Sequence, residues 1–338
     1  MDVSLHLGAY RTGNTSLKAL LSAARPALAA NGLAFWGEEE RRAGHYRELI
    51  RPADTLTEAA AERGQRSVET LRTLMEVLED DGVERLIVSE PHMMGSLPEM
   101  LKRERLYPFL RERLGRFAPV FHDRCDRVLV IIRAYDTYWR SAAAQAVADG
   151  HPLLDRRART RLAVQPVRWR RVIETIGQIL PRAHLIVVPF EALAGHWDAQ
   201  MTVLAGEAGR AALRDASGAA APEASAPAGD GAGRDRLARG PEAADLRTML
   251  AERGAPADDP GLAGQGPWCP FDEEEVADLC HAYAEDLAWL RKGASGLATF
   301  IESADAQELR EMDRTRGRPH HDRHHRPPPD GGRLGEAG

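Results

Sequence analysis

The stretch GAYRTGNTS, residues 8–16, combines glycines, a cation and hydroxyl side chains in a spacing that could bind phosphate. It approximates the P-loop pattern G-x-x-x-x-G-K-[ST], in which backbone N–H groups and a lysine hold the phosphates of a nucleotide. Both glycines and Thr15 stand at the expected positions. Asn14 occupies the lysine position, however, and the cation comes three residues earlier, at Arg11. The stretch is therefore either a nucleoside triphosphate site that has lost its lysine or an intact site for a different anionic ligand.

A magnesium-dependent phosphoryl transferase, such as a P-loop kinase, is disfavoured by the rest of the chain as well. Such enzymes hold the metal with an Asp that follows a buried strand. The apolar stretch 128–132 leads instead into Arg133, and the stretch 184–189 leads into Phe190 and Glu191. The sequence offers no convincing Asp at the end of a strand for this role.

A second stretch that matters for the comparison with known families is VLVIIRAYDTYWRS, residues 128–141. A near-continuous apolar run of this kind is typical of a strand that is buried on both faces. It ends at Arg133, and Ser141 follows eight residues later within a predicted helix. The planar fork of an arginine matches the geometry of a phosphate, and a serine hydroxyl adds one more donor.

A candidate general base follows the predicted strand VERLIVS, residues 83–89. Glu90 comes directly after this strand, and His92 lies two residues further on. A base is needed wherever an acceptor hydroxyl attacks an electrophile, because its proton must leave as the new bond forms. Three readings stay open: Glu90 is the base, His92 is the base, or Glu90 is a solvated carboxylate of the loop.

The stretch HLGAYRTGNTSL, residues 6–17, resembles the 5′-phosphosulfate loop of sulfotransferases that use 3′-phosphoadenosine 5′-phosphosulfate (PAPS). The family form is roughly H-x-G-x-x-[KR]-T-G-[ST]-T-S-L, and its cation stands where Arg11 does. The pair Arg133 and Ser141 is similar to the family's 3′-phosphate site, and Ser89-Glu90 is similar to its base-bearing segment. The resemblance covers residues 3–205, and more loosely the stretch from Pro267 to Gly293.

This resemblance implies a PAPS-dependent sulfotransferase that acts on an unidentified small-molecule or glycan acceptor and requires no metal. It implies a three-layer α/β/α fold like that of P-loop NTPases, with a central parallel sheet. It also implies that Arg11 and Glu90 are catalytic. The residues that it implies for PAPS binding form two sets. The loop set is Arg11, Thr12, Gly13, Asn14, Thr15 and Ser16, and the second set is Arg133 and Ser141. Asn14 departs from the usual Ser or Thr of the family. A non-catalytic nucleotide-binding or scaffold protein on the same fold is the alternative.

Alternating strand and helix patterns predict the parallel sheet independently of this resemblance. The predicted strands are 3–7, 83–89, 127–133 and 184–189, and the predicted helices are one from residue 15 and those at 66–80, 103–116, 136–149, 167–180, 242–253 and 273–292. The predicted domains are an α/β core at 1–206, a flexible Ala/Gly/Pro-rich linker at 207–241, C-terminal helices on the core at 242–300 and a disordered polar tail at 303–338.

Composition narrows the class of protein. A formal net charge of -6 argues against binding to nucleic acid through charge alone. The three cysteines, Cys125, Cys269 and Cys280, form no C-x-x-C pair and favour a reducing compartment. The sequence shows no secretory signal and no apolar run long enough to span a membrane, so the cytoplasm is expected.

Two features near the C-terminus have a functional and an ordinary interpretation. The tract from His320 to His325 could bind a transition metal, but a polar tract without fixed geometry is the commoner case. Arg291-Lys292-Gly293 resembles a segment that holds the 3′-phosphate in animal sulfotransferases. Basic residues at the end of a long helix more often complement its dipole.

Overall fold

The computed structural model describes residues 1–164, 167–193, 196–218, 242–257 and 259–303. Its centre is a six-stranded sheet in which every neighbouring pair of strands is parallel, with the order β2-β3-β1-β4-β5-β6. The strands are β1 Asp2–Gly8, β2 Leu33–Trp36, β3 Arg85–Ser89, β4 Cys125–Ile132, β5 His184–Pro189 and β6 Ala298–Phe300. The predicted α/β class with a central parallel sheet is confirmed.

Helices connect successive strands of the sheet. They are α1 Asn14–Ala23, α2 Arg25–Ala30, α3 Glu38–Arg42, α4 Glu58–Asp80, α5 Leu97–Lys102, α6 Leu110–Phe121, α7 Tyr135–Ala148, α8 Arg156–Ala163, α9 Trp169–Ile179, α10 Phe190–Leu193, α11 Trp197–Gly218, α12 Ala243–Glu252 and α13 Glu273–Arg291. The α11 segment is kinked at Gly206, where the backbone leaves helical geometry. None of the described helices combines the length and the hydropathy that crossing a bilayer requires.

The sheet has an apolar core on each face, as the continuous apolar pattern of β4 predicts. Val128 and Val130 belong to the larger core, beneath α4, α6, α7 and α9. Leu129 and Ile131, between them in sequence, belong to a second core beneath α1, α2 and α11. Because successive side chains of a strand point to opposite faces, β4 is buried on both sides and helices cover both faces of the sheet.

The first part of the predicted helix at 103–116, residues 103–109, is wrong. Helix α5 ends at Lys102 and α6 begins only at Leu110. Between them Tyr107 has a φ of 39°, a left-handed conformation that interrupts a helix, and Pro108 follows it. Strands β2 and β6 were not predicted, because four and three residues are too few to establish a period.

The boundary predicted at residue 207 is also wrong. Helix α11 continues to Gly218, and its residues Ala212 and Leu213 are buried in the second core. Alanine is the strongest helix former and needs only a few apolar partners to pack, so a change to an alanine-rich composition does not mark the end of a helix. Helices α12 and α13 pack against α7, as predicted. The rest of the predicted linker, 219–241, and the tail from 304 onward lie outside the described residues.

The strand order places one edge of the sheet at a topological switch point. The chain passes from central β1 to edge strand β2, returns to β3 beside β1, and then crosses to β4 on the other side of β1. Ligands of open parallel sheets bind at the carboxyl ends of the strands where the order reverses in this way. Gly8, Glu90 and Arg133 lie at or just beyond the carboxyl ends of β1, β3 and β4.

Candidate functional site

The loop that joins β1 to α1 has the backbone of an anion-binding loop. Gly8, Arg11 and Gly13 have φ angles of 88°, 62° and 86°, so the chain turns sharply three times within six residues. Gly13 stands at the N-cap of α1, and no side chain caps the first N–H groups of this helix. Uncapped N–H groups at the positive end of a helix favour an anion.

Side chains of the loop itself hold this shape. Asn14 Nδ2 donates to the carbonyl oxygen of Ala9 at 2.5 Å, and Thr12 Oγ1 donates to the same oxygen at 2.7 Å. Asn14 therefore braces the loop from the position that holds lysine in the P-loop pattern. Thr15 and Ser16 are exposed on the first turn of α1 and leave their hydroxyls accessible there.

Arg11 connects the loop to the second predicted phosphate site. Its Nε donates to Ser141 Oγ at 2.9 Å, and its Nη1 donates to Gln145 Oε1 at 2.8 Å. Burial lowers the pKa of this guanidinium. Gln145 was missed by sequence analysis, although it lies one helical turn after Ser141 and so on the same face of α7.

Arg133 lies on the same side of the loop and is almost fully buried. Its Nη1 donates to the carbonyl oxygen of Arg11 at 2.8 Å, and its guanidinium lies over the ring of Phe190, 4.7 Å from the centroid. Burial is the main cause that lowers its pKa to about 10; the charge of Glu191 opposes this shift, and the nearby charge of Arg11 contributes to it. Two arginines that repel each other beside the loop make this region favourable for an anion.

The two rival bases, Glu90 and His92, form one hydrogen-bonded pair. Glu90 is fully buried, and its Oε1 accepts from the backbone N–H of His92 at 3.0 Å and lies 2.6 Å from His92 Nδ1. Whether Nδ1 donates or accepts in this contact depends on the tautomer of the His92 ring. Glu90 Oε2 is buried and has no hydrogen-bond partner in the described part of the chain. One carboxylate oxygen is thus fixed by His92.

Tyrosine 107 is a second residue that sequence analysis missed. Its hydroxyl accepts from the backbone N–H of Tyr10 in the loop at 3.0 Å and lies 3.4 Å from the hydroxyl of Tyr138. The left-handed backbone of Tyr107 costs conformational energy, which its position beneath the loop can offset. No local pattern in the sequence marks this contact, since the two residues are 97 positions apart.

His6, the first residue of the loop motif, contacts a neighbouring strand. Its Nδ1 lies 2.8 Å from Ser89 Oγ, which joins the carboxyl ends of β1 and β3. Burial lowers the pKa of His6 to about 3, so the imidazole is neutral at physiological pH. Arg291, at the end of α13, donates twice to Glu302 and is therefore engaged in an ion pair.

Comparison of the chain with protein-family models, with curated proteins and with solved structures gave no significant match. Within the described ranges, no group of three or more His, Cys, Asp or Glu side chains is placed to hold a metal ion. The tract from His320 to His325 lies outside those ranges. The function proposed below therefore depends on the residues of this chain alone.

Proposed function

We propose that this protein is a PAPS-dependent sulfotransferase with a P-loop-type fold, which transfers a sulfuryl group to a hydroxyl or amine of a small-molecule or glycan acceptor. The observation that carries the proposal is the contact between Arg11 and Ser141, with Arg133 bonded to the backbone of Arg11. Two motifs more than a hundred residues apart thereby form one cationic region. The free cysteines among the described residues suit the reducing cytoplasm as its location.

The residues fit a nucleotide with phosphates at both the 5′ and the 3′ position. The uncapped start of α1 and the N–H groups of the loop would hold the 5′-phosphosulfate, together with the hydroxyls of Thr15 and Ser16. Arg133 and Ser141 would hold the 3′-phosphate and thereby distinguish PAPS from ATP. In this assignment Thr12 and Asn14 act by shaping the loop rather than by direct contact.

The transfer step uses Glu90 and Arg11. As the acceptor oxygen forms its bond to sulfur, Glu90 Oε2 takes the acceptor proton, while His92 holds Oε1 in place. The bond between sulfur and the 5′-phosphate oxygen breaks, and that oxygen keeps the electron pair. Arg11 stabilises the negative charge that develops there, which is the kind of electrostatic stabilisation that enzymes use most.

Calorimetric titration with 3′-phosphoadenosine 5′-phosphate (PAP), run beside ATP with and without magnesium, tests the proposal. We expect micromolar binding of PAP and much weaker binding of ATP, because the 3′-phosphate meets a dedicated arginine. Preference for magnesium-ATP, or no binding of either nucleotide, would contradict the proposed function. Binding of PAP without sulfuryl transfer to any acceptor would favour a non-catalytic nucleotide-binding protein.

Replacing Glu90 by glutamine is expected to lower kcat by about a hundredfold to ten-thousandfold, the range typical for loss of a general base. The amide keeps the size of the carboxylate and can still contact His92, so PAP affinity should stay within about twofold. Turnover is measured with labelled PAPS, and PAP affinity is measured by calorimetry.

The matched control is His92→Gln, because His92 contacts the same carboxylate from the solvent side. We expect a smaller loss of kcat in this variant than in Glu90→Gln, since His92 only positions Oε1. A loss that is larger in His92→Gln would identify His92 as the base. A collapse of PAP affinity in Glu90→Gln would show that Glu90 supports the nucleotide site instead.

A further inference from the structure

Helix α8 presents an exposed basic face. Arg156, Arg157 and Arg161 are exposed, and none of them pairs with a carboxylate in the part of the chain that the structure describes. At 3.6 residues per turn, these three side chains and Val164 lie within an arc of about 140° around the helix. Val164 is 61% exposed, whereas Leu162, on the opposite side of the helix, is fully buried. The three arginines are called the basic face below.

The basic face weakens the helix that carries it. Asp155 caps α8, but Arg156 and Arg157 are its first two residues, and its first turn contains no acidic residue. The amino end of a helix has a partial positive charge, so cations are unfavourable there. Arg157 and Arg161 are four residues apart, where like charges on a helix repel each other. Residue choices that oppose a local element are expected mainly at functional sites.

Other polar side chains of α8 have partners on neighbouring elements. Arg159 donates from Nη1 to the carbonyl oxygen of Pro270 at 3.0 Å. Thr160 donates from Oγ1 to Glu275 Oε1 at 3.1 Å, which attaches α8 to the start of α13. Glu275 thereby places one negative charge beside the three positive charges of the basic face. The arginines of the face contribute to none of these contacts, so their charge is open to a partner in solution.

The residue types of the face select the chemistry of that partner. The planar fork of an arginine matches the oxygens of carboxylate and sulfate groups. A lipid surface requires several large apolar side chains on one face, and Val164 is the exposed apolar side chain among the described residues of this one. The net charge of -6 disfavours nucleic acid. A polysaccharide that carries carboxylate or sulfate groups along its chain meets these requirements.

The basic face lies close along the chain to the proposed nucleotide site. Trp169, the first residue of α9, donates from Nε1 to the carbonyl oxygen of Arg133 at 2.9 Å. Trp169 follows Val164 by five positions, and five residues span at most about 18 Å. We infer that the basic face binds an anionic polysaccharide and that this polysaccharide supplies the acceptor hydroxyl. The binding does not depend on the proposed sulfotransferase function, whereas the role as acceptor rests on it.

The first test measures binding of dextran sulfate and of polygalacturonate by calorimetry, beside uncharged dextran. We expect the wild-type protein to bind both anionic polymers, with an affinity that falls as salt screens the charges, and not to bind dextran. In the double variant Arg157→Ala/Arg161→Ala, Kd for the anionic polymers should rise at least about tenfold, because two charge-assisted contacts are lost. Its Tm should be unchanged or higher, because a like-charge pair is removed.

The matched control is the double variant Arg170→Ala/Arg171→Ala, which removes the same number of positive charges from α9. Both of these arginines pair with Glu174, so Kd should stay within about twofold of the wild-type value. Equal weakening in the two double variants would show an effect of net charge alone and would overturn the inference. Absence of binding to both anionic polymers, or tighter binding to phosphatidylserine vesicles, would overturn it as well.

The second test measures transfer from labelled PAPS to polygalacturonate and to dextran. We expect a lower KM for polygalacturonate. In Arg157→Ala/Arg161→Ala this KM should rise about tenfold while kcat is retained, because the lost contacts bind substrate and transition state equally. An unchanged KM in the variant, preference for dextran, or tight PAP binding without transfer to polygalacturonate would refute the role as acceptor.

Failure of the proposed function would look different from failure of the inference. PAP would then not bind the wild-type protein, and no polymer would be sulfated, which would refute the role as acceptor together with the function. Binding of the anionic polymers in the first test needs no nucleotide, so the comparison of the two double variants would still decide whether the basic face is a polysaccharide site.

Discussion

Replacing Arg11 by alanine should lower kcat for sulfuryl transfer by at least about a hundredfold, the typical cost of losing one group that stabilises developing charge. Arg11 is the cation of the loop, and its side chain is aligned along α7 by Ser141 and Gln145. No second cation in the loop can replace it, because Asn14 occupies the lysine position of the P-loop pattern. Labelled PAPS and single-turnover kinetics measure the loss at the chemical step.

Two further variants distinguish the effect of the Arg11 charge from the effect of the hydrogen bonds that hold its side chain. Arg11→Lys keeps the charge but loses the fork that reaches both Ser141 and Gln145, so it should recover only part of the turnover. Gln145→Ala keeps Arg11 and removes one of its two anchors, so a smaller effect is expected. Turnover of Arg11→Ala close to that of the wild type would contradict the role assigned to this charge.

Replacing Arg133 by alanine should erase the preference for a 3′-phosphate. PAP and AMP differ only in this group, so the ratio of their dissociation constants measures the preference directly. Charge-assisted hydrogen bonds contribute about 1.5 to 3 kcal/mol each, so we expect the ratio to fall by about tenfold to a hundredfold. AMP affinity should change far less, because its 5′-phosphate binds to the loop and to α1.

The Arg133→Ala variant also removes a contact that supports the loop, since Arg133 donates to the backbone carbonyl of Arg11. Ser141→Ala is the matched comparison, because it removes one hydroxyl from the same site and leaves that backbone contact intact. It should reduce the preference for PAP by a smaller factor. Equal weakening of PAP and AMP in Arg133→Ala would show that Arg133 only supports the loop, and it would refute the assignment to the 3′-phosphate.

Local patterns in the sequence were sufficient to predict the fold class. The apolar run of β4 indicates a strand buried on both faces, and the structure divides Val128 and Leu129 between the two cores as this pattern requires. The candidate residues Glu90 and Arg133 follow predicted strands, and parallel pairing then brings them to one edge of the sheet. Composition is a poorer guide beyond residue 207, where it predicts a linker although α11 continues to Gly218.

The sequence by itself determined which residue types lie at the ends of β1, β3 and β4, because strand and helix periods depend on neighbours along the chain. Only the tertiary structure decided how these residues meet. Arg11 and Ser141 are 130 positions apart, and Tyr10 and Tyr107 are 97 positions apart. Such contacts depend on how the helices pack over the sheet, and no local period encodes them. The pairing of Glu90 with His92 is local in sequence, but the burial that leaves Oε2 without a partner is a property of the folded core.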